Sequence, residues 1–131
     1  MTKPSDLAGS IMIVDVDGTI AEDDSTRLYA DRRPIMNVIT RINYLHSRGV
    51  KIIIYSARNM RTYKENLGLI NLNTLPVLVK WLDSNGVCYD ELHLGKPWCG
   101  NGFYVRKNGI RPETFLNLPI EDIERMLHAG R

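Results

Sequence analysis

The sequence has little with which to fix a fold covalently. Only two cysteines, Cys88 and Cys99, occur among 131 residues. They form no CxxC and stand beside no histidine cluster, which speaks against a disulfide framework or a zinc site. Two unpaired thiols suit a reducing cytoplasm. Charge of one sign is also scarce: 17 basic and 15 acidic residues leave a net charge of +2. Nucleic-acid binding would call for a strongly basic face, so nucleic acid is not an expected partner. No apolar run approaches the ~18 residues of a membrane-spanning helix. The longest, residues 50–55, is interrupted by Lys51, so a membrane is not an expected partner either. Residues 1–10 carry one lysine and no apolar core. They read as a flexible lead-in and not as a signal peptide.

What is present is ordinary for a globular protein. Hydrophobic residues make up 44% and charged residues 24%. Residues 11–131 suffice for one domain with a real core. Ile11-Met12-Ile13-Val14 and Ile52-Ile53-Ile54-Tyr55 are short, β-branched runs that read as buried parallel strands. Between them Ile35, Val38, Ile39, Ile42 and Leu45 share one helical face, with Pro34 in the first turn and Gly49 as the stop. The pattern repeats. Asn73 or Thr74 can cap a helix with Pro76 in its first turn, a stripe of Leu75, Leu78, Val79 and Leu82, and Gly86 at its end. Residues 91–94 and Gly102-Phe103-Tyr104-Val105 are further strand candidates. Pro119 opens a last helix with Ile120, Ile123, Met126 and Leu127 turned inward. Alternating strands and helices imply an open α/β fold with ligands at the carboxyl ends of the strands.

Three strand ends carry polar residues. The first runs into Asp15-Val16-Asp17-Gly18-Thr19. If Gly18 permits a tight turn, both carboxylates face the crevice. One can then attack as a nucleophile while the other gives and takes protons. The bland alternative is an Asp-Gly turn in which Asp17 caps a backbone group. The second strand ends at Ser56-Ala57-Arg58. The Ser56 hydroxyl can hold a phosphate oxygen, or it can cap the next turn. The third ends at Gly95-Lys96-Pro97. Lys96 can neutralise both a nucleophile and a phosphoryl group, or it can be solvated. Arg58, Asn59 and Arg61 can meet an anionic substrate or form a solvated loop, and Trp98 can stack on a sugar or fill the core.

Taken in order, these motifs resemble the haloacid dehalogenase (HAD) superfamily of aspartate-nucleophile phosphatases. Asp15-Val16-Asp17-Gly18-Thr19 resembles its first motif, Ser56 its second and Lys96 its third. Tyr55-Ser56-Ala57-Arg58-Asn59-Met60, Gly95-Lys96-Pro97-Trp98-Cys99-Gly100, Gly102-Phe103-Tyr104-Val105 and Ile110-Arg111-Pro112 resemble a smaller family of capsule or polysaccharide biosynthesis phosphatases. The resemblance covers roughly residues 11–118. It implies a HAD-like Rossmannoid three-layer α/β sandwich with a mainly parallel sheet. It implies that Asp15 forms an aspartyl-phosphate and that Asp17 is the general acid and base. Ser56 and Lys96 would hold the phosphoryl group, with Gly18, Thr19, Ala57, Arg58 and Asn59 around the substrate. Magnesium would be held by the Asp15 carboxylate, the Asp17 backbone carbonyl and an acid of a fourth motif. The implied substrate is a phosphorylated sugar or polyol of surface-polysaccharide synthesis. Residues 20–33 are too few for a cap domain and can make only a flap. A capless member implies a homo-oligomer, and the resemblance suggests a tetramer.

The fourth motif departs from that pattern. The family usually places aspartates after the Phe-Tyr-Val strand, where this chain has Arg106-Lys107-Asn108 and no acid between Glu91 and Glu113. Three readings follow. Magnesium binds weakly, with the Asn108 amide oxygen as a candidate ligand. Or the chain is a catalytically silent relative that binds a phosphorylated ligand or a protein partner. Or Arg106 or Lys107 supplies charge in the site, repelling a divalent ion and attracting phosphate.

Overall fold

A parallel ladder organises the chain, seen in a computed structural model that describes residues 7–98 and 109–129. Strand β1 is Ile11–Asp15, β2 is Lys51–Tyr55 and β3 is Glu91–His93. They lie in the order β1-β2-β3, all parallel, with Asp15 opposite Tyr55 and Tyr55 opposite His93. The helices are α1 (Met36–Ser47), α2 (Leu67–Asn73), α3 (Leu75–Ser84), α4 (Pro112–Asn117) and α5 (Ile120–Ala129), with one 3₁₀ turn at Tyr29–Asp31. The protein is thus a small α/β fold with a three-stranded parallel sheet. No helix among the described residues is long and apolar enough to cross a membrane.

Both crossovers step the same way along the sheet, so right-handed connections set α1 and α3 on one face. That face is where the core forms. Val14, Ile52 and Ile54 of the sheet meet Val38, Ile39, Ile42 and Leu45 of α1, Leu78, Trp81 and Leu82 of α3, and Phe115 and Ile123. The other face carries Ile11, Ile13, Ile53 and Tyr55 by strand alternation. Ile13 is 64% exposed there. Among the described residues the helices that contact the core lie over one sheet face. The strand expected over residues 102–105 lies outside the described residues.

Several sequence readings shift in detail. Leu7, expected in the lead-in, is fully buried in the core. Pro34 does not enter α1. It pairs with Ala21 in an isolated antiparallel bridge, and Ile35 donates to the Ile20 carbonyl at 2.8 Å. This pairing holds the base of the flap expected over residues 20–33. Trp81 joins the α3 stripe in the core, while Val79 is only half buried. Met126, expected inward, is exposed on α5, where Ile123 is the buried contact. Helix α2 escaped the periodicity reading because Ile70 is its one buried residue, with Leu67, Leu69 and Leu72 exposed.

Candidate active site

All three polar strand ends converge at the carboxyl edge of the sheet, because the strands are parallel and in register. The backbone continues the ladder past the strands. Ser56 donates to the His93 carbonyl at 3.0 Å, and Lys96 donates to the Ser56 carbonyl at 3.2 Å. Lys96 is thereby set against β1, and its Nζ lies 3.4 Å from Asp15 Oδ2. Gly95 before it takes φ +82, the left-handed region. A Cβ there would come 2.7 Å from Cδ2 of the exposed Leu67 side chain, which can shift, so the need for glycine is mainly one of conformation.

After β1 the chain makes a tight turn. Thr19, Ile20 and Ala21 all donate to the Val16 carbonyl, and Gly18, at φ +84, donates to the Ala21 carbonyl. Val16, Ile20 and Ala21 are buried, which anchors the turn. The Asp15 side chain stays 43% exposed at the rim, with its Oδ1 accepting from the Val16 N–H at 2.9 Å.

Asp17 has a different environment. Arg58 forks onto it, Nε to Oδ2 at 2.9 Å and Nη2 to Oδ1 at 2.9 Å. Arg32 Nη1 adds a third contact to Oδ1 at 3.0 Å. The Arg58 side chain is 1% exposed and that of Arg32 9%. Both guanidinium groups also lie over the Tyr29 ring, at 4.4 and 4.5 Å from its centroid. Bidentate arginine pairs fix a carboxylate in direction as well as in place. Trp81 closes the arrangement from the core by donating its indole N–H to the Arg32 carbonyl at 2.7 Å. A proton donated by Asp17 would therefore have to leave from inside a clamp of two arginines.

Ser56 is buried, and its Oγ accepts from the Arg58 N–H at 3.1 Å. The capping alternative is thus realised, and the hydroxyl proton remains available for an anion. Asn59 takes φ 63 and is braced by Thr74, whose hydroxyl donates to its Oδ1 at 2.7 Å. Ala57 and Asn59 line an open cleft of about 460 Å³ with Tyr29, Arg61, Thr62 and Trp98. Trp98 is 53% exposed and does not fill the core. The Arg61 guanidinium lies 4.2 Å from its ring centroid.

The site residues read from the sequence come together in two pairs, Asp15 with Lys96 and Asp17 with Arg58. The turn of Gly18 and Thr19 lies beside the first aspartate, and Ala57 and Asn59 lie in the cleft. Arg32, Tyr29 and Trp81 were missed. Their signal is faint: Arg32-Arg33 ahead of Pro34, after the acids Glu22-Asp23-Asp24 in the same flap. Asn108, Arg106 and Lys107 lie outside the described residues.

Magnesium takes hard oxygen ligands and keeps several waters. The Asp15 carboxylate is of that kind. The turn's backbone hydrogen bonds fall on the carbonyls of Val16 and Ala21 and leave that of Asp17 out of them. The two oxygens expected for magnesium are therefore of the right chemistry. No group of three or more His, Cys, Asp or Glu side chains that could hold a metal occurs among the described residues.

No protein-family model and no curated protein matches the chain. Solved structures do match. The crystal structure of an MCSG target from Vibrio cholerae superimposes with a TM-score of 0.83 at 41% identity, covering 93% of this chain and 99% of that one. A chain of the Pnkp1/Rnl/Hen1 complex matches with a TM-score of 0.50 at 21% identity, covering 82% of this chain and 33% of that one. This second likeness is one of fold alone, and it spans about a third of the longer chain. Fold and site together define an α/β protein whose carboxyl sheet edge gathers two aspartates, two buried arginines and a lysine. The chain belongs to the same family as the Vibrio cholerae protein, which it matches over nearly its whole length.

Proposed function

We propose that the chain is a HAD-type phosphomonoesterase acting through an aspartyl-phosphate. The observation that carries this reading is Asp15 at the end of β1 with Lys96 Nζ at 3.4 Å, both at the carboxyl edge of a parallel sheet. Ligands bind at that edge in open α/β folds. In the proposed reaction an Asp15 carboxylate oxygen attacks phosphorus, and the bond from phosphorus to the leaving oxygen breaks. Lys96 offsets charge on the phosphoryl oxygens, and the Ser56 hydroxyl donates to one of them. Asp17, as the proposed general acid and base, gives the leaving oxygen its proton and takes one back from the water of the second step. Water then attacks the phosphorus of the aspartyl-phosphate, which releases inorganic phosphate and restores the carboxylate. The Asp15 carboxylate and the Asp17 carbonyl would hold magnesium, which when bound supplies positive charge against the phosphoryl group. The proposed substrate is a phosphorylated sugar or polyol of surface-polysaccharide synthesis, met in the cytoplasm by a homotetramer.

A second reading has its own support. Asp17 accepts two hydrogen bonds from Arg58 and is ion-paired with Arg32, which favours a protein that binds a phosphorylated ligand or partner without turnover.

Asp15→Asn separates the two. The change is nearly isosteric at a half-exposed strand end, so circular dichroism and the thermal midpoint are expected to stay close to the parent. Hydrolysis of p-nitrophenyl phosphate with magnesium is expected to fall by at least about a thousandfold, the scale of losing a covalent route. Activity within about tenfold of the parent, in a preparation free of other phosphatases, would end the nucleophile assignment.

A further inference from the structure

The cleft beside the phosphoryl site has a consistent chemistry. Its lining, Tyr29, Ala57, Asn59, Arg61, Thr62 and Trp98, includes two aromatic rings, an amide, a hydroxyl and a guanidinium, and no carboxylate. It is joined to the reacting groups at three points. Ala57 follows Ser56 in the chain, and Trp98 comes two residues after Lys96. Tyr29 packs under the arginines that hold Asp17. A phosphoryl group between Asp15 and Lys96 therefore has this cleft as a neighbour for whatever it is attached to.

The cations near the site are not equivalent. Arg58 and Arg32 are committed to Asp17, and Lys96 faces Asp15. Arg61 has no carboxylate partner among the described residues; it rests on the Trp98 ring with its guanidinium edge open. Its loop is held in a fixed form. Asn59, Lys64 and Glu65 all take positive φ, Met60 is buried, and Thr74 braces Asn59. Stacking on an indole pre-orients the guanidinium fork for a carboxylate or phosphate, which lowers the ordering cost of an ion pair.

We infer that the cleft receives the leaving group of the substrate, and that this group is a polyhydroxylated sugar bearing a second anion paired with Arg61. The inference rests on the phosphomonoesterase reading for the position of the phosphoryl group and narrows its substrate class. Arg61 covers part of the half-exposed Trp98 ring, and what it leaves uncovered offers apolar surface for the C–H face of a sugar, while Tyr29, already under two arginines, offers its ring edge. Asn59 and Thr62 offer hydrogen-bonding partners for its hydroxyls. A neutral polyol would leave Arg61 unused. The anion can be a carboxylate or a second phosphate, since a guanidinium fork accepts either.

Three substrates that differ in that second group make the test: glucose 6-phosphate, 6-phosphogluconate and glucose 1,6-bisphosphate. The full chain is expected to show kcat/KM at least about tenfold higher for one or both doubly anionic compounds, the scale of one charge-assisted pair. Arg61→Gln is expected to bring their ratio to glucose 6-phosphate down to within about threefold, and Arg61→Lys to recover part of it. Which compound leads identifies carboxylate or phosphate as the anion. Equal kcat/KM for all three, or a preference that survives Arg61→Gln, would overturn the inference. Calorimetric binding of the same compounds keeps this result apart from that of the reaction. If nothing is hydrolysed but the Arg61-dependent preference appears in binding, the cleft assignment holds and the phosphatase reading fails. Binding without that preference overturns the cleft assignment.

Discussion

Asp17 and Arg58 form the tightest polar contact of the site, and the residue scale turns on what that contact is for. The Arg58 fork fixes both carboxylate oxygens, so a point charge on a flexible stem is a poor substitute. Arg58→Lys is expected to lower kcat for an aryl phosphate by about tenfold or more, with KM changing less, the pattern of a group needed in the transition state. Unchanged kcat would show that the clamp is only structural. Arg106 and Lys107 pose the opposite question, because they stand where the family resemblance expects acids. Losing one anionic ligand is worth roughly a hundredfold in magnesium affinity. Replacing both residues with aspartate is expected to tighten magnesium binding in calorimetry and to raise phosphate release. Tight binding and brisk turnover by the unmodified chain, with no gain from the change, would refute that account. Asp90 and Glu91, the acids nearest before that segment, are already engaged at the start of β3. Asp90 accepts from the Ile52 N–H, and Glu91 pairs with Lys51 and His93. Asp15 and Lys96 were legible in the sequence because Asp15 ends a short apolar strand and Lys96 sits in a Gly-Lys-Pro loop just past β3. The clamp was not, since Arg32 reaches Asp17, and Tyr29 reaches the two arginines, from a flap with no periodicity of its own.

The elements are held by polar contacts as well as by their apolar faces. Asp90, just before β3, receives the Ile52 N–H at 2.8 Å and donates its own N–H to the Ile52 carbonyl at 2.8 Å. That hydrogen bond to its side chain, together with His46, holds its carboxyl below the ordinary value of 3.8, against a smaller opposing effect of burial. A carboxyl whose folded value is depressed stabilises the fold at pH above its unfolded value, and the contribution fades as pH falls through the folded value. Asp90→Ala is expected to cost about 1 kcal/mol at neutral pH, by leaving the Ile52 N–H without its acceptor. The part of the difference that depends on the ionised carboxylate should fade as pH falls below about 4 and on through the folded value, read from urea midpoints of both proteins across that range. A cost that is the same at every pH would assign the effect to packing. At this scale α1 and α3 were readable from their apolar stripes. Helix α2 was not, because its leucines are spaced for exposure and Ile70 alone faces inward. The same exposure explains Met126 on α5, where the apolar spacing is satisfied by Ile123 without it.

Across the whole molecule the parallel order of the strands does most of the work. It gathers three polar strand ends on one edge, as the sequence pattern implied. It also leaves Ile11 and Ile13 on a face that no described helix covers, which periodicity within single elements could not reveal. Which face a helix takes depends on the direction of the crossovers and not on the helix's own sequence. With the exposed leucines of α2, this is much apolar surface for a lone small domain. Light scattering on the full chain at tens of micromolar is expected to give about four protomers per particle, the closed assembly that the sequence resemblance suggests. A monodisperse monomer would remove the tetramer and leave the chemistry standing.

The pairing of Ala21 with Pro34 also makes the flap a separable part. Its two ends leave the domain side by side, held by the Glu22 N–H on the Arg33 carbonyl and the Ile35 N–H on the Ile20 carbonyl, each at 2.8 Å. Anything spliced between those ends begins and finishes at one doorway, so its length makes no demand on the sheet. The domain is in that sense a socket. A longer insertion there that kept Arg32 on Asp17 and Tyr29 on Arg58 would lie over the cleft, changing which molecules are admitted while the strand ends beneath it keep their places.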